Sequence, residues 1–267
     1  MRLHVEASGP ADGPAVVFLH GVSGSVETYG FLPPEIVDGR RIIRIDLRGH
    51  GRSEQANGTY TLQHYGEDVA DVLERVGRPS VLVGHSLGGV VAWWLAQNRP
   101  DLVVAAFLED PPLYMGEMSE HERNGAIPIF GALVARADRW HADGVAAQEA
   151  AAELAADPMG QDMCDDAYAT RARAQLAMDP GVLEQAIDRS TLAGTDTLSP
   201  VSAPVFLLAA DDAMAAFPIR HAERLARTHP AVEVVRVDGA PHGIHDSRAH
   251  RAVYVEQLAQ FLDAHAR

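Results

Sequence analysis

The run Gly84-His85-Ser86-Leu87-Gly88 constrains this chain more than any other stretch. Before it comes Ser80-Val81-Leu82-Val83, a short apolar run that reads as a buried strand. After it comes Gly89-Val90-Val91-Ala92-Trp93-Trp94-Leu95-Ala96, which reads as a helix. A serine between two glycines at a strand-to-helix corner is a nucleophile elbow. Side chains two positions before and after the serine would strike neighbouring backbone, so both positions need glycine. The serine is held in a strained conformation that lifts its Oγ above the sheet. The N-terminus of the following helix points at the same spot and favours developing negative charge there.

The rest of the chain supplies a sheet around that corner. Strands are expected over residues 3–7, 15–19, 41–45, 103–108, 204–209 and 232–237. Helices are expected over 61–76, with Thr61 as cap, and over 219–228 and 248–264. Strands alternating with helices give an α/β fold with a mostly parallel, doubly wound sheet. Residues 113–202 break the pattern: they are alanine-rich, with acidic and arginine residues interleaved and no convincing strand. The expectation is a core from 1–112 and 203–267, with 113–202 inserted as a helical cap over the strand ends, where ligands bind in such sheets.

Two loops invite chemistry. His20-Gly21-Val22 follows an apolar strand, and a glycine-rich loop there can aim backbone N–H groups at an oxyanion. The Val22 N–H is one candidate donor and the Leu87 N–H, just after the serine, is the other. Asp46, Arg48 and Ser53 read as a hydrogen-bonded network fixing the Asp46-to-Ser53 turn, and His50 sits within that turn. His20 and His85 read as structural residues flanking the site.

Taken in order, His20-Gly21-Val22, Asp46-Leu47-Arg48-Gly49-His50-Gly51-Arg52-Ser53, the Ser86 elbow and Gly239-Ala240-Pro241-His242 resemble the α/β-hydrolase fold superfamily, in its serine-nucleophile esterase and lactonase type with a helical cap. Serine needs a base within reach and a third group to orient that base. The resemblance implies His242 as the base, with His245 as runner-up. Pro241 stands where the family often has glycine, which stiffens this loop. The usual Gly-x-x-Asp turn of the family would fall on Ala210 and Ala213, so the expected acid position holds alanine. Some haloalkane dehalogenases and zearalenone lactonases carry the acid after the preceding strand, with a spacing similar to the 24 positions from Ser86 to Asp110. Asp110 is therefore the expected acid and Asp212 the alternative, with Glu109 and Asp211 behind them. Serine at the elbow speaks against the carboxylate-nucleophile chemistry of dehalogenases and epoxide hydrolases.

The implied reaction is hydrolysis of a carboxylic ester or lactone of moderate size and low charge, through an acyl-enzyme, with no cofactor and no metal. The alternatives are a C–C bond hydrolase of dioxo acids and a slow-turnover small-molecule receptor. The first needs a cation for the substrate carboxylate, which Arg123, Arg136, Arg139, Arg171 or Arg173 could supply. Met115, Ile127, Ile129, Phe130, Leu133, Trp140 and Met178 offer apolar surface in the insert, most of it expected as packing. A net charge of −15 argues against nucleic acid and anionic membranes as partners. Cys164 is the only cysteine, so no intrachain disulfide forms, and its aspartate neighbours are expected to raise its thiol pKa. The N-terminal residues have no apolar signal core and no apolar run spans a bilayer, giving a cytoplasmic expectation. The oligomeric state is not legible.

Overall fold

The computed structural model describes the backbone of residues 1–115, 120–157, 162–188, 190–211 and 215–267, with side chains at those residues except 120–130 and 187–188. The strands are β1 Val5–Ser8, β2 Ala15–Leu19, β3 Arg41–Ile45, β4 Ser80–His85, β5 Val103–Glu109, β6 Val205–Ala209 and β7 Val232–Arg236. They form one sheet in the order β1-β3-β2-β4-β5-β6-β7. β1 runs antiparallel to β3 and the other neighbouring pairs are parallel. The helices are α1 Pro34–Val37, α2 Leu62–Val76, α3 Leu87–Asn98, α4 Glu120–Asp143, α5 Ala147–Ala156, α6 Asp165–Ala177, α7 Pro180–Asp188, α8 Ala222–Thr228 and α9 Arg251–His265.

β2, β4 and β6 are buried along their whole length, which is why they read as unbroken apolar runs. Alternate side chains go to opposite faces. Val17, Leu19, Leu82, Ala106 and Leu108 pack with α2 and α3 on one face. Val16, Phe18, Val81, Val83 and Phe107 pack with α9 on the other. In α2, Val69, Val72 and Leu73 lie one turn apart and are all buried, each burial contributing about 1.5–3 kcal/mol. Thr61 caps α2 by accepting the His64 N–H, and Gly77 ends it in the left-handed region at φ 77°.

The strand order reverses direction between β2 and β4. Chain crossovers leave the sheet on either side of that point, opening a crevice beyond the carboxyl ends of these strands. The Ser86 corner follows β4 there, and the His20 loop follows β2.

Four helices, α4 to α7, fall between β5 and β6 among the described residues. This segment attaches to loops that follow strands. Arg173 pairs with Glu27 at 2.6 Å, the Asp179 N–H donates to the Gly49 carbonyl at 2.8 Å, and the Cys164 N–H donates to the Asp246 carbonyl at 2.8 Å. Arg171 pairs closely with Asp246. Met178 belongs to the main core, Leu133 packs against that core, and Trp140 anchors a small cluster with Ala150, Leu154 and Ala172. These three are therefore packing residues, and the side chains of Ile127, Ile129, Phe130 and Arg123 lie outside the described residues.

Some boundaries differ from the sequence expectation. β1 begins at Val5, and α9 begins at Arg251 because Ser247 turns the preceding residues, accepting the His250 N–H at 3.2 Å. α1 and the short 3-10 turns Val26–Tyr29 and Ile244–Asp246 carry too few residues to show a period.

Candidate active site

Ser86 sits at the N-cap of α3 with φ 50° and ψ −115°, a conformation costly to any residue with a Cβ. Close packing holds it there. A Cβ on Gly84 would lie 2.4 Å from the Gly88 carbonyl oxygen, and one on Gly88 would lie 2.1 Å from that of Leu19. The Ser86 N–H donates to the Glu109 carbonyl at 2.9 Å, tying the corner to the end of β5. The Ser86 hydroxyl has no hydrogen-bond partner among the described residues, so no bond from Ser86 to His242 is closed in this structure.

Asp110 follows β5 at φ 43° and its side chain is fully buried. His242 Nδ1 donates to Asp110 Oδ2 at 2.6 Å. The same oxygen accepts the Ala216 N–H at 2.7 Å. Oδ1 accepts the N–H groups of Phe217 at 3.1 Å and Ala210 at 3.3 Å. These donors hold the carboxylate in one orientation. The His242 ring is 39% exposed, so one edge meets the buried acid and another stays accessible.

The remaining acid candidates are placed otherwise. Asp211 Oδ2 accepts the Gly239 N–H at 2.9 Å. Asp212 and position Ala213 lie outside the described residues. Glu109, on the other face of β5, takes His245: Oε1 accepts the His245 N–H at 2.9 Å and Oε2 meets Nδ1 at 2.7 Å. The runner-up base and a runner-up acid thus pair with each other, wholly buried, beside Tyr29, Phe31 and Tyr254. Sequence reasoning missed this pairing, whose one signal was a second acid–histidine set offset along the same two segments.

The charges here are interlocked. Burial opposes charge on His245, but Glu109 and Asp246 outweigh it and raise the ring above its ordinary value. Burial likewise opposes charge on Asp246, but His245 and Arg171 outweigh it and hold that carboxyl low. His85 is pushed well below its ordinary value, by burial first and then by His242, His245 and Arg171. Its Nε2 therefore donates, as a neutral ring, to the His242 carbonyl at 3.1 Å. His85, Glu109 and His245 each bring a ligand-type atom within 4.8 Å of the others. Glu109 already holds two donors from His245, and the Arg171 cation lies against Asp246, while the buried His245 Nε2 lies 3.4 Å from Asp246 Oδ1 and makes no hydrogen bond.

The two expected oxyanion donors are at the crevice. Neither the Val22 nor the Leu87 N–H has a hydrogen-bond partner among the described residues. The Asp46 turn is the expected network. Asp46 accepts the N–H groups of Val26 at 2.7 Å and Arg52 at 3.0 Å, and Ser53 Oγ donates to the Asp46 carbonyl at 2.5 Å. Arg48 pairs with Asp68 at 2.7 Å. His50 has both ring nitrogens on carbonyls, Arg48 at 2.9 Å and Val22 at 2.8 Å. A cavity of about 10 Å³, room for one water, lies beside His85 and is lined by polar groups including Ser23, Thr28, Arg171 and Asp246. The Cys164 thiol is raised as expected, but burial is the larger cause, with Asp166 adding and Arg251 opposing.

Residues 14–249 match the family model of the α/β hydrolase fold. The chain belongs to the α/β-hydrolase fold family, and hydrolase is its class. It is 26% identical over 264 residues to an sn-1-specific diacylglycerol lipase of Mus musculus, covering 95% of this chain and 82% of that protein. It is 40% identical over 114 residues to a bifunctional esterase/perhydrolase of Acinetobacter calcoaceticus, a match covering only 39% of this chain and 40% of that relative. Among solved structures, an E-2-(acetamidomethylene)succinate hydrolase superposes with a TM-score of 0.76 at 23% identity, covering 98% of this chain and 95% of that one. That likeness is one of fold. Among the described residues no helix is long and apolar enough to cross a membrane.

Proposed function

We propose that this protein hydrolyses a carboxylic ester or lactone of moderate size and low charge. Ser86 is the nucleophile, His242 the base, Asp110 the acid that orients it, and the Val22 and Leu87 N–H groups the oxyanion donors. The observation that carries the reading is the 2.6 Å bond from His242 Nδ1 to the buried Asp110 carboxylate, beside the elbow. With its proton fixed on Nδ1, His242 has Nε2 free to accept the Ser86 proton. Ser86 Oγ attacks the carbonyl carbon, and charge moves onto the carbonyl oxygen, where the two N–H groups stabilise it. The leaving alcohol takes the proton from His242. Water then gives a proton to the same nitrogen as it attacks the acyl-enzyme, and that proton passes to Ser86 Oγ as the bond to the acyl carbon breaks and the acid leaves.

Residues 113–202 act as the cap over this crevice, an assignment supported by their attachment to the loops after β2, β3 and β7. The low substrate charge is supported by the cap arginines. Arg136 pairs with Asp157, Arg139 with Glu153, Arg171 with Asp246 and Arg173 with Glu27, so each is already neutralised. To be held by any of these four arginines, a dioxo acid would have to break its pair. The lipase and esterase named above support ester chemistry. The test is Ser86→Ala against p-nitrophenyl butyrate and a panel of lactones and dioxo acids. Ester and lactone turnover is expected to vanish, together with labelling by a fluorophosphonate. Undiminished turnover would sink the reading.

A further inference from the structure

Two loops carry groups assigned to catalysis, and one side chain of the inserted segment hydrogen-bonds to both. Val22 lies on the loop leaving β2 and His242 on the loop leaving β7. Among the described residues no hydrogen bond joins these loops directly. Arg171, on α6, stands between them. Its Nη1 donates to Ser23 Oγ at 3.3 Å, and Ser23 adjoins Val22. Its Nη2 donates to Asp246 Oδ2, four positions after His242. The same nitrogen lies 3.5 Å from where a Cβ on Gly243 would sit, so the guanidinium also rests against the residue that follows His242.

Arg171 itself is well anchored. The Asp246 carbonyl accepts the Cys164 N–H at 2.8 Å, and the Arg248 N–H donates to the Asp162 carbonyl at 2.6 Å. Arg251 pairs with Asp166 at 2.8 Å. The start of α6 is therefore fastened to the segment after His242 by contacts that do not involve Arg171. On the other side, Arg173 pairs with Glu27 at 2.6 Å, tying α6 to the turn after the Val22 loop. A guanidinium is planar and carries its donors in a rigid fork, so two of its nitrogens fix one distance between their acceptors. Acyl transfer needs that distance held, because an oxyanion donor comes from one loop and the base from the other. A misplacement of about 1 Å costs roughly 100-fold in rate. We propose that Arg171 is a positioning residue of the active site, its guanidinium holding Ser23, beside Val22, and Asp246, beyond His242, at one fixed separation. Arg171 acts in this way without touching the substrate. The assignment rests on the ester-hydrolase reading.

The test uses p-nitrophenyl acetate, whose acetyl group offers the cap little to bind, together with the rate at which a fluorophosphonate labels Ser86. Arg171→Ala is expected to lower kcat roughly 30- to 100-fold with little change in KM, and labelling should slow by a similar factor. Ser23→Ala removes one arm only and should lower kcat about 3- to 10-fold. The double variant should be no slower than Arg171→Ala, because the Ser23 arm is already gone there. The Arg171 side chain is 27% exposed, so its removal opens a hole to solvent. Guanidinium chloride at millimolar, non-denaturing concentration should restore much of the lost kcat to Arg171→Ala, and equal sodium chloride should not. Losses that multiply in the double variant, a loss confined to KM, or guanidinium without effect each overturn the assignment. A melting curve accompanies every variant. Where Arg171→Ala fails to fold, Ser23→Ala at the wild-type melting temperature carries the test, and an unchanged kcat there overturns the assignment equally. Wild-type protein that neither turns over the ester nor takes the label would instead sink the ester-hydrolase reading.

Discussion

Asp110→Asn removes a charge while keeping the shape, and the hydrogen bonds around it determine the outcome. In the wild type, Oδ2 accepts from both His242 Nδ1 and Ala216 N–H, while Oδ1 accepts from Phe217 and Ala210. An amide has one oxygen. If its NH₂ replaces Oδ1, two main-chain donors, Phe217 and Ala210, lose their acceptor. If its NH₂ replaces Oδ2, only Ala216 does, because His242 can turn its Nδ1 into an acceptor. Each buried orphan costs about 1–3 kcal/mol, so the second arrangement wins. It moves the ring proton of His242 to Nε2, where it blocks removal of the Ser86 proton. The expected fall in kcat is roughly 10⁴-fold, equivalent to about 5 kcal/mol of barrier. The melting temperature should fall by roughly 5 °C, from the one orphaned donor. Steady-state hydrolysis of p-nitrophenyl butyrate by Asp110→Asn and Asp212→Asn is the assay, with a melting curve for each. A kcat for Asp110→Asn within about tenfold of wild type, or a comparable loss in Asp212→Asn, would refute the reasoning.

Other perturbations test the surroundings. Glu109→Ala strands the buried His245 and should cost about 3–5 kcal/mol in urea denaturation. The folded value of His245 lies above its ordinary 6.5, so its pairing stabilises fully below that pH and fades as pH rises through the raised value. Urea midpoints for wild type should register that fade, and His245→Gln should remove it; identical pH profiles would contradict the pairing. Gly88→Ala drives a Cβ into the Leu19 carbonyl, so the elbow must open. Activity and fluorophosphonate labelling should both be lost, and a fully labelled variant would show that the corner tolerates a side chain.

The elbow was legible because its signal is local: two glycines, a serine, an apolar strand and a helix follow one another within a short stretch. The sheet was legible because buried parallel strands leave unbroken apolar runs. Asp110 was reached by subtraction, from an alanine at position 213, with the family spacing as support. Its three main-chain donors were not legible, since Ala210, Ala216 and Phe217 contribute only backbone and come from a distant loop. The Glu109–His245 pair was hidden for a related reason. Each residue was weighed as a substitute for its neighbour, and only the alternation of side chains across β5 sends Glu109 and Asp110 to different histidines. His20 carried the motif, but the hydrogen bond that its Nε2 accepts from the Leu47 N–H is one that no spacing rule reports.

The place of the helical segment in the chain bears on how the protein is made. β5 pairs with β6 through Ala106–Val205, Phe107–Phe206 and Leu108–Leu207, yet 95 residues separate the end of β5 from the start of β6. At ribosomal speeds of about 5–20 residues per second, the nascent sheet carries an unpaired apolar edge for about 5–20 s. Such an edge is a template for wrong pairing. Helices α4 to α7 emerge in that interval, built from local contacts that form fast. His242 emerges later still, beyond β7, so the groups assigned to catalysis come together only after the last strand of the sheet has left the ribosome.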